Sequence, residues 1–240
     1  MRTRRAAFAM LLSATIAGAG SVPELIPIDR DFTLFKPYPA MYAYDLAVRD
    51  ALLGEPAREG WEAIVIPSFE REWAVHLEER DGEHRVVLTV MQQQLWGRLQ
   101  EAASRPDGSI QPGDEVAALR GLSRDTWRHS ASLSRTTAVL LGNTWSAMLA
   151  YAKPPPEPRR CIDGTSYFIF QREPSMGGRG GMGRCGPSDG PTAALLEILE
   201  DLRRAAGASG QELMRLDMSL AKKAAVLSRT LVEEPSRGLR

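Results

Sequence analysis

The chain is poor in cysteine and histidine: Cys161 and Cys185 are the only cysteines, and His76, His84 and His129 the only histidines. No histidine stands near either cysteine in the sequence, so the two thiols cannot complete a four-ligand zinc site. Neither H-x-x-x-H nor H-E-x-x-H spacing occurs, which removes the common zinc-hydrolase signatures, and there is no P-loop. Lysine is scarce as well. Lys36, Lys153, Lys222 and Lys223 are the only four, and arginine fills the other basic positions, as a GC-rich coding sequence would dictate. No block of like charge stands out and the formal net charge is zero. That argues against nucleic acid or an anionic membrane as the main partner, because both select a basic surface. No internal repeat is visible, and no apolar run reaches the roughly 20 residues that a membrane-spanning helix needs.

The longest apolar run, Ala6 to Ile16, follows Arg2, Arg4 and Arg5 and leads into Ala17-Gly18-Ala19-Gly20. A basic end, an apolar middle and small residues at the exit make up a secretory signal peptide, with cleavage expected between Ala19 and Gly20. No cysteine follows the run, so lipid attachment of the bacterial lipoprotein kind is not expected. Loss of the three arginines leaves 27 basic against 30 acidic residues, a mature charge near −3. The expected location is the periplasm or the exterior, where Cys161 and Cys185 can form a disulfide.

After the leader, Pro23, Pro27, Pro37 and Pro39 mark an extended stretch. Met41, Tyr44, Val48 and Leu52 recur at helical spacing, which predicts a helix over 40–53. Ala63 to Ile66 reads as a buried strand. The clearest local pattern follows it. Trp73, Val75 and Leu77 alternate with polar or small residues up to Asp81-Gly82, a type I′ turn signal. With that turn as centre, Trp73 pairs with Val90, Val75 with Leu88 and Leu77 with Val86. Glu78 then meets Arg85 on the other face, a favourable cross-strand charge pair.

A helix is expected over 92–103, a loop over 104–113, and a short helix capped by Asp114 over 115–120. Trp127, Ala131, Ser134, Ala138, Leu141, Trp145 and Met148 recur in steps of four and three, which predicts one long helix over 124–151, weakened at Gly142. The proline-rich stretch 153–160 ends it as a stiff connector and a possible lobe boundary. Tyr167 and Ile169 alternate with Phe168 and Phe170, as expected of a central strand covered on both faces. Two closing helices are expected over 190–206 and 209–231.

If the second hairpin turns near Glu173-Pro174, Cys161 faces Cys185 across it, within reach of a disulfide. The run Gly178-Arg179-Gly180-Gly181-Met182-Gly183 matches G-x-G-x-x-G literally but lacks the strand-turn-helix setting of a dinucleotide site. It reads as a mobile or tightly bent loop and a possible contact surface. No cofactor or metal is expected.

Asp163-Gly164-Thr165-Ser166-Tyr167-Phe168-Ile169-Phe170 resembles a D-G-T-x-Y-x-F segment of exported bacterial proteins of unknown function. The resemblance extends over about 140–205 and includes Trp145, the Met148-Leu149 pair before the segment and the leucine-rich helix after it. It implies export and no particular activity.

The expected organisation is a leader over 1–19, one α+β domain over 20–232 and a flexible tail over 233–240. The fold class is an antiparallel sheet built from β-hairpins and packed by several helices. The expected function is a non-enzymatic exported protein that binds another protein or an envelope component. Two alternatives stand beside it: a hydrolase using His76, His129 and Asp163, and a carrier of a small apolar ligand held between sheet and helices.

Overall fold

The structure is a computed structural model that describes residues 22–28, 39–54, 60–111, 113–155, 164–173, 177–186 and 189–233. The leader with its Ala19–Gly20 junction, Cys161, Asp163 and the tail from 234 lie outside these residues.

Seven strands form one antiparallel sheet among the described residues. They are β1 (Ile26–Ile28), β2 (Gly60–Ile66), β3 (Trp73–Arg80), β4 (Glu83–Met91), β5 (Thr126–Leu133), β6 (Ser166–Glu173) and β7 (Gly177–Arg184). Their order across the sheet is β1-β7-β6-β2-β3-β4-β5. Strands from both sides of the proline-rich stretch therefore share a sheet, with β6 paired to β2. The α+β class expected from the sequence is present.

Among the described residues six helices cover the two faces. On one face lie α1 (Pro39–Leu53), α2 (Leu95–Ala103) and α3 (Asp114–Gly121); on the other lie α4 (Arg135–Tyr151), α5 (Gly190–Gly207) and α6 (Gly210–Glu233). The alternation of β6 explains the two layers. Phe168 and Phe170 join the core with Tyr44, Val48 and Leu95, while Tyr167 and Ile169 join the core with Leu141, Trp145 and Leu199. A strand buried on both faces loses the apolar–polar alternation, and the run Tyr167 to Phe170 of β6 reads that way.

The β3–β4 hairpin has the expected register in full. Trp73 pairs with Val90, Val75 with Leu88, Leu77 with Val86, and Glu78 with Arg85. Asp81 and Gly82 take φ of 56° and 78°, the positive pair that a type I′ turn demands.

Three expectations are corrected. The long helix over 124–151 is a strand followed by a helix: β5 runs to Leu133, and α4 starts at Arg135. Trp127 and Ala131 are four apart, which places them on one side of a helix and also on one side of a strand. Ser134 ends the ambiguity, because its side chain accepts from the Thr137 backbone N–H and caps the helix there. Asp114 is not a cap. It opens α3 after Gly113, and its carboxylate accepts from the Gln111 N–H and from Arg105.

The glycine run is not a loop. It is β7, an interior strand between β1 and β6. Neighbouring side chains take the space its own would fill. A Cβ on Gly183 would stand 2.2 Å from the Tyr167 ring, and one on Gly181 would stand 2.9 Å from Leu25. These glycines permit close approach, and none of the run needs a positive φ.

One buried carboxylate joins three elements. Glu72, fully buried before β3, accepts from the backbone N–H groups of Leu95 and Trp96 at the start of α2 and from the Tyr44 hydroxyl of α1 at 2.6 Å. It does the work of an N-cap from a distant loop and places negative charge at the helix N-terminus. Burial, and then the Glu72 charge, push the Tyr44 phenol well above its ordinary value.

Candidate ligand cleft

The sheet separates the histidines. His76 on β3 lies across from Val87, and Val87 lies across from Ser130. His129, next to Ser130, therefore projects from the opposite face, where it is exposed and paired with Leu88. A site that used both would need them on one side, so the alternative that joins His76 to His129 is corrected; Asp163 lies outside the described residues. His84 is on the His129 face, with Nδ1 at 3.8 Å from Glu79 Oε2.

His76 has a charged neighbourhood of its own. Nε2 lies 3.4 Å from Glu78 Oε2, the Arg128 guanidinium lies 3.8 Å from the same oxygen, and buried Glu62 is the cross-strand neighbour. Burial holds His76 below its ordinary value, against the upward pull of Glu78. No group of three or more histidine, cysteine or acidic side chains suited to a metal occurs among the described residues.

The expected pairing of Cys161 across from Cys185 is corrected in its register. The hairpin pairs Ser166 with Arg184 and Glu173 with Gly177, a register that brings Cys185 beside Thr165. The Cys185 N–H donates to the carbonyl of Thr165. Among the described residues no cysteine is free.

The string Gly186-Pro187-Ser188-Asp189-Gly190 has the G-x-S-x-G spacing of a nucleophile elbow, between β7 and α5. Pro187 and Ser188 lie outside the described residues.

A cleft of ≈ 390 Å³ opens between the sheet and the first turns of α4. Its apolar surface comes from Trp61, Leu77, Leu133, Ala138 and Val139. Trp61 and Leu77 are cross-strand partners, and Leu133 closes β5 before the Ser134 cap turns the chain into α4. Gly142 sets the depth. A Cβ there would stand 2.5 Å from the Trp61 ring, so α4 rests on the indole at that turn. One turn earlier only Ala138 faces the sheet, and the space stays open. Val139, at the mouth, is 50% exposed.

The rim is polar: Glu79, His84, Arg85 and Gln171 surround the apolar wall. The Trp61 indole N–H has no hydrogen-bond acceptor, as is also true of Trp73 and Trp145 in the core. None of the residues of this wall had a functional signal in the sequence. The nearest to one is Gly142, because a glycine inside an apolar helical stretch marks a close approach.

No family model, curated protein or solved structure matches the chain.

Proposed function

We propose that this chain is an exported, non-catalytic binding protein whose cleft takes a small, largely apolar ligand with one polar end. The observation that supports this reading is the space between sheet and α4, apolar in its wall and polar at its rim. Small-molecule sites are typically concave, roughly 300 to 1,000 Å³, mostly apolar, and oriented by a few polar groups. An envelope component with an acyl or aryl body fits that description. The separated histidines favour binding over hydrolysis.

Export belongs to the same reading. The leader is cut between Ala19 and Gly20, and Cys161 and Cys185 then join in an oxidising space. The resemblance of 163–170 to exported bacterial proteins supports the same compartment. Such a bond closes a loop of about 25 residues, worth roughly 3 kcal/mol in the chain-entropy account.

The test is native mass spectrometry of protein recovered from outside the cytoplasm, followed by titration with the fluorescent apolar probe phenylnaphthylamine. A chain beginning at Gly20, without free thiol and carrying a small molecule, is expected. Ala138→Trp should fill the cleft and abolish probe binding with an unchanged circular dichroism spectrum. Undiminished probe binding by that variant refutes the cleft, and an intact Met1 with two reactive thiols refutes the export.

A further inference from the structure

A second groove lies at the other end of the sheet, between the β2–β3 loop and α5. It measures ≈ 560 Å³. The loop above it is pinned at both ends. Ser68 Oγ donates to the Gly164 carbonyl at 2.7 Å, and the Ser68 carbonyl accepts from Gln94 Nε2 at 2.8 Å. At the other end stands Glu72 with its helix and hydroxyl donors. Between the pins, Phe69, Glu70 and Arg71 all project to solvent.

Phe69 is 77% exposed. An aromatic ring held in water on an anchored loop contributes nothing to the core. Its loop is already ordered, so a ligand that covers the ring has little ordering left to oppose it. Trp73, Leu88 and Val90 give the groove an apolar floor.

Two guanidinium groups frame this floor. Arg71 lies over the Trp127 ring at 4.8 Å, and Arg203 lies over the Trp73 ring at 5.4 Å. Arg203 is held by two exposed carboxylates, Glu70 at 3.7 Å and Glu200 at 3.3 Å. Arg71 has no acidic partner among the described residues. A guanidinium held over an indole keeps N–H donors for a carboxylate, which it can bind through two parallel hydrogen bonds. The groove lining carries two arginines against one carboxylate.

We infer that this groove is a binding site for a small organic anion, a flat apolar body bearing a carboxylate. The body lies against Phe69 and the Val90 side of the floor, and the carboxylate takes the free edge of Arg71. The site is independent of the α4 cleft, at the opposite end of the strands.

Isothermal titration of the full chain with naphthoate and with neutral naphthylmethanol tests this. Naphthoate should bind at least about tenfold more tightly than the alcohol, since a charge-assisted pair is worth more than about 1.4 kcal/mol, a factor of ten. Arg71→Met should remove that preference, and Phe69→Ala should weaken both ligands; both residues are exposed, so melting temperatures should stay unchanged. Ala138→Trp should leave naphthoate binding intact, which separates this site from the cleft. Equal affinity for the two ligands, an Arg71→Met variant that binds naphthoate as well as the parent, or no naphthoate binding at all overturns the inference.

Discussion

Two hairpins of the same sheet are held together by opposite means. In β3–β4 the side chains do the work: three apolar pairs lie on one face, a charge pair lies on the other, and the two turn residues adopt the required positive φ. In β6–β7 one strand has almost no side chains. Its glycines let Tyr167, Phe170 and Leu25 lie flat across the backbone, and the packing comes from neighbours. The first hairpin specifies its own register. The second takes its register from elements on either side, β1 and β2 included. A sheet can therefore be specified by what a strand presents or by what it leaves room for.

Substitutions should separate the two. The largest effect is expected at Gly183, where any Cβ meets the Tyr167 ring. Gly183→Val should cost more than about 4 kcal/mol or prevent folding. Gly183→Ala combined with Tyr167→Leu should recover part of the loss, a coupling that a denaturant double-mutant cycle can read.

Asp45 comes next. Burial raises its carboxyl to about 7, and Arg184, the last residue of β7, only partly opposes this. The folded state thus holds the proton more tightly than the unfolded chain does. Stability is greatest below about 4 and falls as pH rises toward 7, where the buried carboxyl ionises. Asp45→Asn should match the parent at pH 4 and exceed it by a few kcal/mol at pH 8. Chemical melts at both values check this, and a gap independent of pH contradicts it.

In the first hairpin, Leu88→Ala should cost about 3 kcal/mol by opening a cavity beneath α5. Gly82→Ala, at φ 78° with open space around it, should cost only about 1 kcal/mol, because backbone strain is the whole penalty. Smallest of all, Glu78→Gln should change the melting temperature by a degree or two. The Glu78 side chain is 28% exposed, and partly solvated ion pairs contribute little.

The contrast also explains what was legible beforehand. The β3–β4 register could be read because period-two alternation and Asp81-Gly82 pointed to one answer. The two-faced character of β6 was readable for the same reason. A strand of glycines carries no period, so the run Gly178 to Gly183 reads as a loop from the sequence alone. The β5–α4 boundary was hidden because spacings of four fit both helix and strand until a cap divides them. The sites were the least legible part. Trp61, Ala138 and Gly142 look like ordinary core residues in sequence, and their joint effect depends on a helix crossing a strand nearly eighty positions away. Arg71, on the β2–β3 loop, and Trp127, on β5, are brought together by the sheet, which no local pattern records.

The pairing of Ile26 with Met182 has a consequence for the timing of folding. Among the described strands, β1 finds its neighbour only after β7 has been made, and β2, already paired with β3, gains its second neighbour only with β6. Synthesis must run past residue 184 before the sheet can be completed. Long loops must close before these contacts form, which makes assembly slow.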